Sequence, residues 1–305
     1  MTRPSRLVVA CNPEAAFGRN RSAGPLVVER LRHAGYDATL ISESSFRALQ
    51  SATVVALDAG ADALIVVGGD GMVSLGVNVA VPRGIPLGVV AAGTGNDLAR
   101  ALGLPREPIA GTDALLAALD QPTRTIDVGL IEHAGERRYF AAVLSAGFDA
   151  IVNERANRMH RPKGPSRYTF ALFRELATFR PRRYRITIDG VVQEHRAMLV
   201  SVANGPSLGG GMRIVPQASL VDGLLDVFIV HPLSRIGLLR VFPKVFKGTH
   251  VDHPAVEFKA GRRVAIEADS LVVYADGERV GPLPVEITVQ PGALRVFVSE
   301  RFDAL

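Results

Sequence analysis

Two glycine-rich loops contain the residues of this chain best suited to binding an anion. The first loop, residues 68–71, reads Gly-Gly-Asp-Gly and follows an apolar run at residues 64–67. Glycines let main-chain N–H groups close around a phosphate, and the start of a following helix adds partial positive charge. Short glycine loops also serve as plain turns, so this motif alone leaves both interpretations open.

The second loop, residues 93–97, reads Gly-Thr-Gly-Asn-Asp and supplies a hydroxyl, an amide and a carboxylate. It has neither the lysine of a Walker loop nor the glycine spacing of a dinucleotide-binding loop. If a nucleotide binds here, Asp70 and Asp97 are candidates to hold Mg²⁺, because this cation needs only one or two carboxylates. Helix capping is the alternative role, for Asp97 at a helix beginning near Leu98.

The apolar runs predict that both loops lie at one edge of a parallel sheet. Strand-sized runs at residues 7–11, 63–67 and 87–90 alternate with helix-like segments such as 25–34. This alternation is typical of βαβ units. Ligands of such sheets bind beyond the carboxyl ends of the strands, where both loops and the Asn-Pro at residues 12–13 must lie.

From about residue 125 the pattern changes to that of antiparallel strands. The Asp-Gly pairs at residues 189–190 and 276–277 are typical of hairpin turns between such strands. Two amphipathic helices are predicted as inserts, at residues 166–179 and 234–246. The β-rich runs are residues 138–146, 184–188, 198–203, 225–230, 264–266 and 271–275.

Composition favours a folded protein of two domains. The chain has 305 residues, of which 48% are hydrophobic, and its apolar runs end well short of a membrane-spanning helix. A polar N-terminus and the single Cys11 indicate a cytoplasmic, reducing location. Ten basic residues against two acidic ones at 154–185 predict a basic surface. An anionic membrane, a nucleic acid or plain solvation could each explain that surface.

The two loops belong to a longer series of motifs that resembles the diacylglycerol kinase catalytic-domain family. This family includes sphingosine and ceramide kinases and bacterial soluble lipid kinases, and the pattern is most similar to actinobacterial members. The matching segments run nearly end to end and keep the family order. They are 68–71, 93–100, 126–129, 146–149, Asn204 with 209–211, Pro216 with Ala218, 222–226 and 275–278.

The resemblance implies an α/β protein of two domains that meet at a cleft. Residues 1–130 would form a Rossmann-like or phosphofructokinase-like nucleotide domain, to which a final strand at about 290–305 returns. Residues 131–289 would form a β-sandwich lipid domain with helical inserts. In the cleft, ATP with Mg²⁺ would phosphorylate the hydroxyl of a diacylglycerol-like lipid.

The resemblance also implies roles for individual residues. Glu278 would be the general base, Asp127 would organise it through water and metal, and Asp70 would complete the catalytic set. A structural Mg²⁺ would bind at Ser219, Asp222 and Leu224. The implied nucleotide contacts are Asn12, Pro13, Ser42, Gly68, Gly69, Asp70, Gly71, Met72, Gly93, Thr94, Gly95, Asn96 and Asp97.

One departure from the family pattern keeps alternatives open. Met72 stands where most relatives carry threonine, so a phosphate-binding or helix-capping hydroxyl is missing. A lipid-binding relative without activity is therefore one alternative. An NAD-kinase-like or other small-molecule kinase is the other, because such kinases share the Gly-Gly-Asp-Gly loop. The expected partners are the lipid and an anionic membrane at the inner face of the plasma membrane, with no nucleic acid and a possible homodimer.

Overall fold

The computed structural model describes residues 4–12, 22–43, 45–147, 150–152, 155, 159, 174–175 and 180–298. The first part of the chain alternates strands and helices, as the apolar runs predict. Its elements are β1 (Arg6–Cys11), α1 (Ala23–His33), β2 (Asp37–Ser42), α2 (Phe46–Asp58), β3 (Ala63–Gly68), α3 (Asp70–Ala80), β4 (Leu87–Ala91), α4 (Asp97–Ala101) and α5 (Pro108–Leu119).

Strands β1 to β4 form a parallel sheet whose carboxyl ends are aligned. Their spatial order is β2-β1-β3-β4. Cys11 pairs with Ser42 on one side and Val67 on the other, and Gly68 pairs with Ala91. Every residue of β3 is buried, as expected for a parallel strand covered on both faces by helices. The loops that follow β3 and β4 therefore start at the same level of the sheet.

The remaining elements are mainly antiparallel strands. They are β5 (Arg124–His133), β6 (Glu136–Phe140), β7 (Val143–Gly147), β8 (Arg182–Ile188), β9 (Val191–Ala197), β10 (Leu199–Ala203), β11 (Leu225–Val230), α6 (Arg235–Val245), β12 (Val256–Gly261), β13 (Arg263–Glu267), β14 (Val272–Ala275), β15 (Glu278–Pro282) and β16 (Val285–Val296). One sheet, ordered β12-β11-β10-β7-β14-β15, contains six of them.

The other strands continue the parallel sheet into a ten-stranded mixed sheet. Its order is β2-β1-β3-β4-β16-β13-β8-β9, and β5 and β6 branch from β16. Tyr184 and Ile266 from this sheet share a buried apolar cluster with Val200 and Val227 from the six-stranded sheet. The fold is therefore an α/β domain followed by an antiparallel β-sandwich, as the resemblance implies. Strand β16 joins both parts, since Val296 pairs with Leu87 of β4; the domain boundaries remain a proposal.

The structure corrects one predicted strand and locates one of the two predicted helical inserts. The run at residues 138–146 is divided into β6 and β7, because the N–H groups of Ala141 and Ala142 donate to the Asp276 carboxylate. The predicted helix at 234–246 is α6, which begins after a Ser234 cap. The predicted helix at 166–179 falls almost wholly outside the described residues. Among the helices that the structure describes, none combines the length and apolarity that crossing a membrane requires.

Candidate active site

The two glycine-rich loops pack main chain against main chain. A Cβ atom on Gly93 would overlap the Cα atom of Gly69, so the close approach requires glycine. The Ala92 N–H donates to the Gly68 carbonyl over 2.8 Å and holds the two strand ends together. Gly69 is the N-cap of α3 and has no side chain with which to cap this helix. The first turn of α3 therefore presents main-chain N–H groups beside the second loop.

Asn96 fixes the shape of the second loop. Its φ of 57° lies in the left-handed region, which asparagine tolerates better than most residues. Its Oδ1 atom accepts from the Gly93 N–H at 3.1 Å, and its Nδ2 atom donates to the Gly93 carbonyl at 2.9 Å. Arg100 donates to the Gly95 carbonyl at 3.0 Å, and Thr94 is exposed at the tip. Hydrogen bonds within the chain thus fix the conformation of the loop.

Asp70 connects the two loops. Its carboxylate accepts hydrogen bonds from the N–H groups of Asn96 at 3.0 Å and Asp97 at 2.7 Å. Burial raises the pKa of Asp70, although these hydrogen bonds oppose the shift. The sequence pointed to Asp70 as a candidate metal ligand, but it gave no signal for this second, structural contact.

Asp97 connects the α/β domain to the sandwich. It is the first residue of α4, and its carboxylate accepts from the N–H groups of Gly210 at 3.2 Å and Gly211 at 3.1 Å. The capping alternative for Asp97 is wrong, because the N-cap residue of α4 is Asn96 and Asp97 lies inside the helix. Burial and the nearby charge of Asp70 raise the pKa of Asp97 to about 6.

A third carboxylate, Asp276, holds the hairpin between β14 and β15. It accepts from the N–H groups of Ala141 at 2.7 Å and of Ala142 and Val143 at 3.0 Å each. Burial raises the pKa of Asp276 to about 6, and the charge of Asp70 adds to this effect. From the sequence, Asp276 is a turn residue within the motif at 275–278, and its three N–H partners lie more than a hundred residues earlier in the chain.

This hairpin directs Glu278 toward the first glycine-rich loop. Glu278 is the first residue of β15, and its Oε1 atom lies 3.3 Å from where a Cβ atom on Gly71 would stand. The predicted base therefore lies at the first turn of α3. The structure brings Glu278, Asp70 and both loops together at one place between the two domains.

Asp127 is buried on β5, where it joins several loops. Its carboxylate accepts from the N–H groups of Gly223 and Gly292, each at 2.7 Å. Its own N–H donates to the Leu220 carbonyl at 2.7 Å. Asn204, which belongs to a predicted motif but had no predicted role, donates to the Asp127 carbonyl at 2.9 Å. Asp127 thus anchors the loop that contains the candidate structural metal site.

In that loop, the predicted metal ligands have local partners. The Asp222 carboxylate accepts from the Leu224 N–H at 2.9 Å, and Ser219 Oγ accepts from the Val221 N–H at 3.4 Å. Burial and the charge of Asp222 raise the pKa of the neighbouring Asp226 to about 6. Two carboxylates that repel each other fit a site for a divalent cation.

The remaining predicted nucleotide contacts include residues at the sheet edge and one residue whose side chain is buried. Asn12 follows β1, and Ser42 is the last residue of β2 at the same edge of the sheet. Pro13 lies outside the described residues. Met72 is only 4% exposed, and its Cγ atom lies 2.5 Å from where a Cβ atom on Gly68 would stand. Its side chain therefore supports the loop from the core and does not extend beyond it.

Known proteins resemble the chain along nearly its whole length. Residues 6–131 match the model of the "Diacylglycerol kinase catalytic domain", and residues 142–298 match the "YegS C-terminal NAD kinase beta sandwich-like domain". A curated relative, the diacylglycerol kinase of Mycobacterium tuberculosis strain H37Rv, is 39% identical over 95% of this chain and 94% of its own. The chain belongs to the diacylglycerol kinase family.

More distant members of the family agree with this assignment. The Bacillus subtilis diacylglycerol kinase is 28% identical over 85% of each chain. A crystal structure of a putative diacylglycerol kinase from Bacillus anthracis superimposes with a TM-score of 0.80 over 99% of this chain and 98% of its own, at 23% identity. That likeness supports the fold. The sequence resemblance to the diacylglycerol kinase family is confirmed.

Proposed function

We propose that this protein transfers the terminal phosphate of ATP to the hydroxyl of diacylglycerol or a related amphipathic lipid. The observation that carries the proposal is the position of the Glu278 carboxylate at the first turn of α3. A phosphate bound by that turn would lie beside a group able to accept the proton of an attacking hydroxyl. Membership of the diacylglycerol kinase family supports the lipid as acceptor.

The nucleotide phosphates would bind to N–H groups of the loops at residues 68–71 and 93–96, with Asn12 and Ser42 at the same sheet edge. Asp70 and Asp97 would hold Mg²⁺, directly or through water. The raised pKa of Asp97 fits this role, because burial and the charge of Asp70 both contribute to it and a dication would offset both effects. When bound, Mg²⁺ neutralises charge on the phosphates during transfer.

The reaction needs one proton acceptor and no covalent intermediate with the protein. The lipid oxygen forms a bond to the terminal phosphorus, and the bond from phosphorus to its bridging oxygen breaks. ADP leaves with that electron pair, and the hydroxyl proton moves to Glu278. Asp276 and Asp127 act as positioning residues, because their carboxylates hold the hairpin before Glu278 and the loops around β5. A second, structural Mg²⁺ would bind at Ser219, Asp222 and Leu224.

Helix α6 offers a surface suited to an anionic bilayer. Ile236, Leu239 and Phe246 are 63%, 46% and 50% exposed. Exposed Arg240 and Lys244 lie on the same helix. An exposed apolar stripe flanked by cations is typical of helices that bind at the membrane surface. We infer that this surface brings the active site to the lipid; most of the basic segment at 154–185 lies outside the described residues.

The test is Mg²⁺-dependent transfer of the labelled terminal phosphate of ATP to diacylglycerol in mixed micelles. Glu278→Gln should abolish product while lipid binding persists. Glu286→Gln is the matched control, since Glu286 is a β-strand glutamate paired with Arg263 away from the loops. Parallel reactions with NAD as acceptor test the small-molecule kinase alternative. Lipid binding without ATP consumption in the wild type would favour the inactive relative.

A further inference from the structure

A polar cluster lies at the edge of the β-sandwich formed by β9 and β12. His195 lies on β9, His231 directly follows β11, and Glu257 lies on β12. Strand β9 is the edge of the ten-stranded sheet, and β12 is the edge of the six-stranded sheet. The cluster therefore joins the two sheets at the place where their edges meet.

All three side chains are on the inner side of the sandwich. His195 is two residues before Ala197, and His231 is two residues after Ile229; both Ala197 and Ile229 belong to the core between the sheets. Glu257 pairs with Ile229 across β11 and β12 and so shares its face. The His195, His231 and Glu257 side chains are 11%, 33% and 32% exposed. The cluster is partly shielded but open to ions from solvent.

The ligand atoms of these side chains converge. The candidate ligand atoms of the three residues all lie within 4.8 Å of one another. His231 Nε2 is 2.7 Å and His195 Nδ1 is 3.9 Å from the same Glu257 Oε2 atom. Tetrahedral zinc would place such atoms about 3.4 Å apart, given bonds of roughly 2.1 Å. Binding would therefore change the separations between these atoms by about 0.5 to 1.4 Å, which small side-chain rotations can supply.

The hydrogen bonds around His195 leave its Nδ1 atom without a proton. His195 Nε2 lies 3.2 Å from Gln193 Oε1, an oxygen that also accepts from the Lys259 ammonium. An amide oxygen can only accept, so a hydrogen bond between these two atoms places the hydrogen of the neutral ring on Nε2. The bare Nδ1 thus faces the Glu257 carboxylate, and a cation between these two acceptors would satisfy both.

One neighbouring charge opposes a cation here. Lys259 Nζ lies 3.0 Å from Glu257 Oε1, on the other oxygen of the same carboxylate. The Oε2 atom remains directed at the two imidazoles. Two imidazoles and one carboxylate are a donor set for zinc-class ions, whereas Mg²⁺ prefers oxygen ligands alone.

We propose that His195, His231 and Glu257 bind a divalent transition-metal ion of the zinc class, which links the edges of the two sheets. Water would complete the coordination. Glu278 lies on β15, the opposite edge of the six-stranded sheet from Glu257 on β12. The proposed metal site is therefore separate from the site of phosphoryl transfer, and the proposed function can be tested independently of it.

The test is calorimetric titration of Zn²⁺ into full-length, chelator-stripped protein in the presence of excess Mg²⁺. We expect one site per chain and a rise of a few degrees in the melting temperature when it is filled. His195→Gln and His231→Gln should each bind Zn²⁺ at least about tenfold more weakly. His33→Gln is the matched control, because His33 is an exposed histidine on α1. Bound Co²⁺ should show the intense visible absorption of a tetrahedral site.

Lys259→Met provides a test that does not depend on losing a ligand. It keeps all three ligands and removes the competing cation, so Zn²⁺ should bind more tightly. Absence of a saturable site in the wild type, unchanged binding by His231→Gln, or weaker binding by Lys259→Met would overturn the proposal. The cluster would then be a network of hydrogen bonds and ion pairs only.

Discussion

The Glu278 Oε1 atom lies 3.3 Å from the position that a Cβ atom on Gly71 would occupy. Glu278 comes from a hairpin of the β-sandwich, and Gly71 belongs to the first turn of α3 in the α/β domain. The contact joins the proposed base to the proposed phosphate site across two domains. Glycine at position 71 therefore leaves room for the carboxylate.

Gly71→Ala should separate catalysis from stability. Gly71 is helical, so alanine should stabilise α3 by up to about 1 kcal/mol, whereas its methyl group would displace Glu278. We expect phosphoryl transfer to fall about 10- to 100-fold with no loss of unfolding free energy. Gly111→Ala in α5 is the control, since its nearest neighbour would lie at an ordinary 3.4 Å. An unchanged transfer rate would place the base elsewhere.

The pH dependence of stability should reveal the buried Asp97. Its folded pKa of about 6 exceeds the ordinary value of 3.8, so the folded protein binds the extra proton between these values. Stability should therefore fall as pH rises from about 4 to 6. Asp97→Asn keeps an oxygen to accept from Gly210 and Gly211 and removes the charge.

In Mg²⁺-free buffer near pH 7.5, Asp97→Asn should be more stable than the wild type by up to roughly 3 kcal/mol. The two proteins should converge near pH 4, where the wild-type carboxyl is protonated. Urea denaturation across this range measures the difference. If Asp97→Asn is less stable than the wild type at pH 7.5, the hydrogen bonds to the Asp97 carboxylate already compensate for the burial of its charge.

Asp127→Asn should destabilise the folded protein. Each oxygen of Asp127 accepts a main-chain N–H, from Gly223 and from Gly292, and the amide of asparagine would face one of these donors. The expected loss is about 1–3 kcal/mol by urea denaturation. Asp62→Asn is the control, because exposed Asp62 also accepts main-chain N–H groups but does so at the surface. If both substitutions lower the free energy of unfolding equally, the hydrogen bonds of Asp127 do not stabilise the fold more than those of Asp62 do.

Mg²⁺ should stabilise the protein through the Asp222 loop. Adding Mg²⁺ without nucleotide should raise the melting temperature of the wild type and of Asp97→Asn. Asp222→Asn should lose this response, although its oxygen can still accept from the Leu224 N–H. A full Mg²⁺ response in Asp222→Asn would remove this loop as a metal site.

Membrane binding should depend on the exposed stripe of α6. Leu239→Ser and Ile236→Ser should each weaken binding to vesicles of anionic phospholipid about tenfold, by removing apolar surface that enters the bilayer. Arg240→Glu should weaken binding most at low salt. Val55→Ser is the control, since Val55 is 70% exposed on α2. Sedimentation with vesicles measures all four, and equal losses in the control would exclude a role for α6.

The sequence by itself determined the features that depend on neighbouring residues. The βαβ order, the two glycine loops and helix α6 follow from local periodicity and turn chemistry. The Asp-Gly pairs at 189–190 and 276–277 adopt positive φ angles, as the hairpin prediction requires. The motifs in order also predicted the family, because each one occupies a fixed place along the chain.

Only the tertiary structure decided which groups meet across long stretches of chain. Asp97 reaches Gly211, 114 residues later, and Asp276 reaches Ala141, 135 residues earlier. Met72 points into the core although it follows a loop predicted to bind phosphate. Such contacts depend on how the sheets and loops of the two domains pack. The residues next to a carboxylate in the sequence do not indicate which distant N–H group will donate to it. The sequence therefore identified the residues of the candidate site, whereas tertiary packing determined their hydrogen-bond partners and their altered pKa values.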